Sequence, residues 1–176
     1  MWLRSFASLP LSIFVFLLAG SFDGAPAVAE PAQANRDTQK RDDFEAFLTR
    51  VDRTQIELQN GRADGFKGLW SHANDVTLSG GAGGPVEKGW PAISKRLDWV
   101  ATQYSEGNTR IERLVQHVGG DLAYVVQHEH IEFRVPADGN RSTRDYRVTM
   151  IFRREAGEWR IVHRQADSSL TKTAIR

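Results

Sequence analysis

The apolar residues of this chain change period at Gly107, from helical spacing before it to alternation after it, and that switch limits what the chain can fold into. Beyond it, four strand-like runs at about 109–118, 121–133, 144–154 and 158–167 are separated by Gly119-Gly120-Asp121, Ala137-Asp138-Gly139-Asn140 and Glu155-Ala156-Gly157-Glu158. Links this short join neighbouring strands antiparallel, so the C-terminal half predicts a meander. Such a sheet needs one face covered, and the preceding helical segments are the material available to cover it.

Those segments are three. From Asp43, residues Phe44, Phe47, Leu48, Val51 and Leu58 fall on one helical face, and Asn60-Gly61 ends the run. A short helix near Asp64 presents Phe66, Leu69 and Trp70, followed by a brief strand at Asp75-Val76-Thr77-Leu78. After the glycine-rich stretch Gly80-Gly81-Ala82-Gly83-Gly84-Pro85, Trp90-Pro91 opens a third helix that buries Ile93, Leu97, Val100 and Tyr104 and stops at Gly107. The expected class is α+β, three N-terminal helices packed into a strongly curved antiparallel sheet with an open mouth.

Charge and cysteine content narrow the function. With 23 Lys plus Arg against 22 Asp plus Glu, the formal charge of +1 leaves no broad basic footprint, so neither nucleic acid nor an anionic membrane is an expected partner. A small molecule or another protein is. The absence of cysteine removes disulfides, thiolate catalysis and thiolate metal sites.

The N-terminus reads as a secretory leader: a basic start ending at Arg4, an apolar run over Leu11 to Gly20, and Ala27-Val28-Ala29 as a cleavage site before Glu30. The expected mature protein is periplasmic or secreted, without stable membrane association once the leader is cleaved. Residues 1–29 are thus the leader, 30–41 an Ala/Pro/Gln-rich linker, 42–168 the folded domain and 169–176 a tail.

Several strings then carry a resemblance. Asn60-Gly61, Leu69-Trp70-Ser71-His72, Asp75-Val76-Thr77-Leu78-Ser79-Gly80-Gly81, Glu87-Lys88-Gly89-Trp90, Gly120-Asp121-Leu122-Ala123-Tyr124, Arg147-Val148-Thr149 and the run from Arg153-Arg154-Glu155 through Trp159-Arg160-Ile161-Val162-His163-Arg164-Gln165-Ala166-Asp167 occur in that order. Together they resemble the SnoaL-like, ketosteroid-isomerase-related family of the NTF2-like superfamily. The resemblance implies a conical fold, commonly a homodimer through the outer face of the sheet. It does not imply one reaction, because isomerases, cyclases, dehydratases and transport factors share this fold. Steroid isomerases of the fold use an aspartate base with a tyrosine and a protonated aspartic acid as oxyanion donors. The matching positions here are Gly80, Thr54 and Thr149, and none can serve.

Other residues could carry chemistry. His128 and His130, two apart on a strand, share a face. With His163 or Asp167 they have the elements of a zinc site, but alternation with Glu129 and Ile131 near a strand end fits a hydrogen-bonded face better, so no metal and no cofactor are expected. His163, Gln165 and Asp167 share a face of the last strand with Trp159 and Ile161, which makes His163 and Asp167 a candidate proton-transfer pair. The catalytic candidates are therefore His163, Asp167 and His128. The candidate pocket residues are Trp70, Trp90, Tyr104, His130, Arg147 and Thr149: aromatics beside the helical roof, and polar groups on strand faces of undetermined side. Three functions stay open, namely small-molecule binding, cofactor-free isomerase, cyclase or dehydratase chemistry by a histidine, and a non-catalytic interaction module.

Overall fold

The computed structural model describes residues 31–168, so the expected leader and the tail lie outside the described residues. Three helices precede a six-stranded sheet: α1 (Pro31–Leu58), α2 (Asp64–Lys67), β1 (Thr77–Ser79), β2 (Glu87–Lys88), α3 (Trp90–Ala101), β3 (Ser105–Gly119), β4 (Leu122–Arg134), β5 (Arg141–Glu155) and β6 (Glu158–Asp167). The strand order is β2-β1-β6-β5-β4-β3. The meander from β3 to β6 is antiparallel as expected. The sheet as a whole is mixed, because β1 joins β6 in parallel, Leu78 opposite Arg164.

The helix face predicted for α1 is the buried one: Phe44, Phe47, Leu48, Val51 and Leu58 are each at most 5% exposed. Phe44 and Phe47 meet Phe152 of β5 edge-on at 5.2 and 5.6 Å, and Trp159 of β6 closes the cluster against Phe44 at 5.1 Å. This cluster seals one end of the cone. The helix begins at Pro31, well before the Asp43 that periodicity marks, so the stretch expected as linker is helical from Pro31 onward. Ala, Gln, Arg and Lys are good helix formers, and its described side chains are mostly exposed, so no apolar period announces it.

The third helix also differs from expectation. It stops at Ala101, and Tyr104 sits beyond it, edge-on to Phe133 at 4.7 Å. Gly107 is not a helix stop but part of a bulge at the start of β3, between Ser105 and Asn108. There the side-chain amide of Asn60 donates to Gly107 O at 2.8 Å and its Oδ1 accepts from Gly107 N at 3.1 Å, as a neighbouring strand would. A Cβ at this position would lie 2.6 Å from Gln59 Cβ and 2.7 Å from Gln59 O.

A second bulge matters more. β5 and β6 slip register between Ile151 and Phe152, which leaves Val162 as the extra residue. Each slip of one residue exchanges the two faces of a strand. Trp159 and Ile161 face the core before the bulge, while Arg164 and Ala166 take the inner face after it, and His163, Gln165 and Asp167 face outward. The expected common face of Trp159, Ile161, His163 and Asp167 is therefore broken.

Because the end of α1 and the bulge at Gly107 touch without a gap, Gly107→Ala destabilises the fold by about 1–3 kcal/mol, the usual range for overpacking. Urea denaturation checks this; an unchanged midpoint would show that the contact with Gln59 relaxes freely.

Candidate functional site

The concave face of the sheet and the ends of α1 and α3 enclose a cavity of about 80 Å³. Its walls are mostly apolar, from Leu58, Phe66, Leu97, Val100 and Ile131. The polar groups on it are Gln55 of α1, Gln59 in the turn that follows it, Tyr104, Tyr146 of β5 and Arg164 of β6, with Gly80, Gly81, Ala82 and Arg96 completing the lining. The Tyr146 ring packs so closely on Gly81 that a Cβ there would lie 2.4 Å from it, so only glycine fits that part of the lining.

Beneath the polar side lies Glu129 of β4, 1% exposed. Arg164 Nη2 donates to its Oε2 at 2.6 Å, Gln55 Nε2 to the same oxygen at 2.8 Å, and Gln127 Nε2 to Oε1 at 2.7 Å. Arg164 is only 12% exposed along its side chain. Two charges taken this far from water persist only when paired and hydrogen-bonded, as these are. Asp52, one turn before Gln55 on α1, has its pKa raised, burial outweighing the attraction of Arg113.

Tyr104 and Tyr146 bring their hydroxyls to 3.4 Å. Burial, with the Tyr146 hydroxyl adding to it, raises the Tyr104 pKa far above the ordinary phenol value, so Tyr104 stays a neutral donor or acceptor. Gln59 Oε1 accepts from Thr109 Oγ1 at 2.6 Å. Gln55 Oε1 is buried with no partner.

Of the residues expected in the pocket, Tyr104 alone lines this cavity. Trp70 is 1% exposed within the core, where α2 packs its Phe66 edge-on against it. Trp90 stacks on His72 at 4.0 Å outside the cavity. His130, Arg147 and Thr149 stand on the outer sheet face, because their strands turn Ile131, Tyr146, Val148 and Met150 inward.

The catalytic candidates share that outer face. His128 lies 3.6 Å from Glu112, and His130 Nδ1 is 2.6 Å from Asp145. His163 Nδ1 meets Thr77 Oγ1 at 2.8 Å, whereas Asp167 accepts twice from Arg147. Four residues of extended strand separate His163 from Asp167 by about 13 Å, so they form no proton-transfer pair. Among the described residues no cluster of three or more histidines and carboxylates is arranged to hold a metal ion. Of the three isomerase positions, Gly80 lines the cavity, Thr54 donates to the helix carbonyl of Arg50, and Thr149 faces outward.

Residues that periodicity passes over make the site instead. Thr54, Gln55 and Gln59 continue the inward face of α1 that Phe47, Leu48 and Val51 begin, and Gln127 and Glu129 sit among Val125 and Ile131 on the inward face of β4. Polar residues in phase with a core are the signal that could have found them. Nothing local marks Arg164, whose inward direction depends on the bulge.

Two outcomes follow from this geometry. Arg164→Met leaves the Glu129 carboxylate buried without its cation and costs about 3–5 kcal/mol, while Arg164→Met with Glu129→Gln costs less because no unpaired charge remains; equal losses in guanidinium unfolding would contradict the pairing. At His163, burial lowers the pKa, so the unfolded chain takes up that proton at higher pH than the folded one. Its contribution to stability is complete above the ordinary imidazole value and declines as pH falls through it. Between about pH 7 and pH 5 the wild type loses more stability than His163→Gln; parallel profiles would refute the assignment.

A SnoaL-like domain model matches residues 48–169. Among solved structures, a proposed dehydratase of the NTF2-like family from Streptomyces avermitilis aligns at TM-score 0.65 and 18% identity, covering 76% of this chain and 99% of that one. An NTF2-like protein with a cystatin-like fold from Novosphingobium aromaticivorans aligns at TM-score 0.62 and 21% identity, over 86% of this chain and 95% of its own. A ketosteroid isomerase-like protein from Erwinia carotovora atroseptica aligns at TM-score 0.57 and 16% identity, over 76% and 95% respectively. No curated protein matches the sequence. At such identities the structures speak to the fold alone, whereas the domain model spans most of the chain, from the last part of α1 through β6: this chain belongs to the SnoaL-like family and has the NTF2-like fold.

Proposed function

We propose that this protein binds a small, largely apolar organic molecule in the mouth of its cone. The observation that carries the reading is the cavity itself: apolar walls with a few polar groups set at one side, the usual composition of a small-molecule site. Its volume of about 80 Å³ restricts the enclosed part of the ligand to a few heavy atoms. His128, His130 and His163 lie on the far face of the sheet, which favours binding over acid/base chemistry by these histidines.

The reading includes export, which rests on the leader and its Ala27-Val28-Ala29 site, and a homodimer formed by the outer face. Leu122 and Tyr124 are 56% and 40% exposed there, and on the neighbouring strand β3 Val115, opposite Val126, is 43% exposed. The same face carries both signs of charge, with Arg110, Glu112, Asp145 and Arg147 on adjacent strands. Self-complementary charge around an apolar patch suits a two-fold interface with a second copy of this chain.

Ligand-observed NMR with small aromatic compounds tests the binding site. Val100→Trp, which fills the cavity from α3, lowers affinity at least tenfold while leaving the melting temperature within a few degrees; binding that survives the filled cavity places the ligand elsewhere. Protein recovered from the periplasm starts at Glu30 and sediments at twice the chain mass, and an intact Met1 or a persistent monomer counts against export or assembly respectively.

A further inference from the structure

We infer that the outer face of the sheet recognises a second copy of this chain about a two-fold axis that runs along β4, with Glu112 meeting the partner's Arg147 and Arg110 meeting the partner's Asp145. The inference rests on the proposed homodimer and adds the orientation of the second copy and the residues that select it.

Among the described residues, Arg110, Glu112, Asp145 and Arg147 form a square of charge on this face around His128 and His130. Arg110 of β3 stands opposite His130 of β4, and His130 opposite Asp145 of β5. Two residues along the strands, Glu112 stands opposite His128, and His128 opposite Arg147. Each side of the square therefore carries one cation and one anion, and each diagonal joins like charges. Contacts within the chain hold three of the corners in place. Arg147 donates twice to Asp167 Oδ1, Asp145 Oδ1 lies 2.6 Å from His130 Nδ1, and Glu112 lies 3.6 Å from His128.

A surface that packs on its own copy meets itself reversed about the axis. With the axis along β4, each residue of β3 faces a residue of β5 at the same level. Glu112 then meets the partner's Arg147, Arg110 meets the partner's Asp145, and symmetry repeats both contacts. His128 and His130 lie on the axis, with Glu132 beyond them beside His130 at 3.6 Å. An axis along either diagonal of the square brings only like charges together, an arrangement that charge at an interface suppresses. An axis across the strands, between the levels of the two histidines, also joins opposite charges, Glu112 with the partner's Arg110.

The apolar residues decide between the last two arrangements. Val126, Tyr124 and Leu122 continue the outer face of β4 toward one end of the strand, with Val115 opposite Val126. An axis along β4 lays this stripe against its own copy and takes both stripes out of water together. An axis across the strands carries Tyr124 to the level of the partner's Arg134, where β4 ends, and leaves Leu122 with nothing to face.

The test is sedimentation equilibrium, with native mass spectrometry on mixtures in which one variant carries heavy isotopes. The side chains of Glu112 and Arg147 are 60% and 53% exposed, so their replacement spares the core, which thermal melting checks. Glu112→Lys and Arg147→Glu each weaken self-association at least tenfold, because each sets two like-charge contacts across the axis. Mixed in equal amounts, the two variants form a heterodimer within about threefold of wild-type affinity, since every contact again joins opposite charges. A chain carrying both substitutions regains the homodimer for the same reason. Single variants that dimerise like the wild type overturn the inference and leave the homodimer standing. Rescue of Glu112→Lys by Arg110→Glu rather than by Arg147→Glu overturns it in favour of the axis across the strands. Loss without rescue by either shows that the charges act within one chain, and overturns it as well. A wild type that stays monomeric removes the homodimer and this inference together.

Discussion

A carboxylate placed at the base of an apolar cone has to be matched by a cation and by enough donors to replace its water. Glu129 meets that demand from three elements at once: Arg164 from β6, Gln55 from α1 and Gln127 from its own strand. The pairing ties the long first helix to the middle and to one side of the sheet, so the relative placement of these elements is set by direction-specific contacts as well as by hydrophobic burial. With their amide nitrogens committed to Glu129, Gln55 and Gln127 each keep a buried side-chain oxygen without a donor.

The Glu129 pairing itself depends on a single extra residue. Without the bulge at Val162, the alternation that begins with Trp159 and Ile161 would carry His163 inward and Arg164 outward. The inner face would then hold an imidazole at that level of the sheet, and Glu129 would lose its cation. The bulge is therefore a functional feature of β6: it re-aims one side chain into the site and moves a titratable group out of it. The parallel β1 strand follows the same arrangement, with Leu78 inward beside Arg164 and Thr77 outward against His163.

The two faces of the sheet consequently have different chemistry. The inner face is apolar apart from the Glu129 group and the cavity polar residues; there the Glu129 carboxylate is held by three donors, while the side-chain oxygens of Gln55 and Gln127 are buried without one. The outer face carries the histidines, a run of charged pairs and the exposed Leu122 and Tyr124. Membership of the SnoaL-like family accounts for the cone, and the positions that the resemblance to steroid isomerases points to are occupied by Gly80, Thr54 and Thr149.

The α+β class, the buried face of α1 and the four-stranded meander were legible in the sequence, because each depends on a local period: 3.6 residues in a helix and two in a strand. The family strings were legible for the same reason, being contiguous. The helical start at Pro31 was not, since none of the described side chains before Phe44 is buried and the segment shows no apolar period. The site was hidden for a different reason. Strand alternation states which residues share a face but not which face is inward, and one bulge reverses the answer midway along β6. Only the tertiary structure decided that Tyr104 faces the cavity while His130, Arg147 and Thr149 do not, and that Arg164 meets Glu129, since a two-fold periodicity is blind to the sign that the neighbouring strand's register supplies.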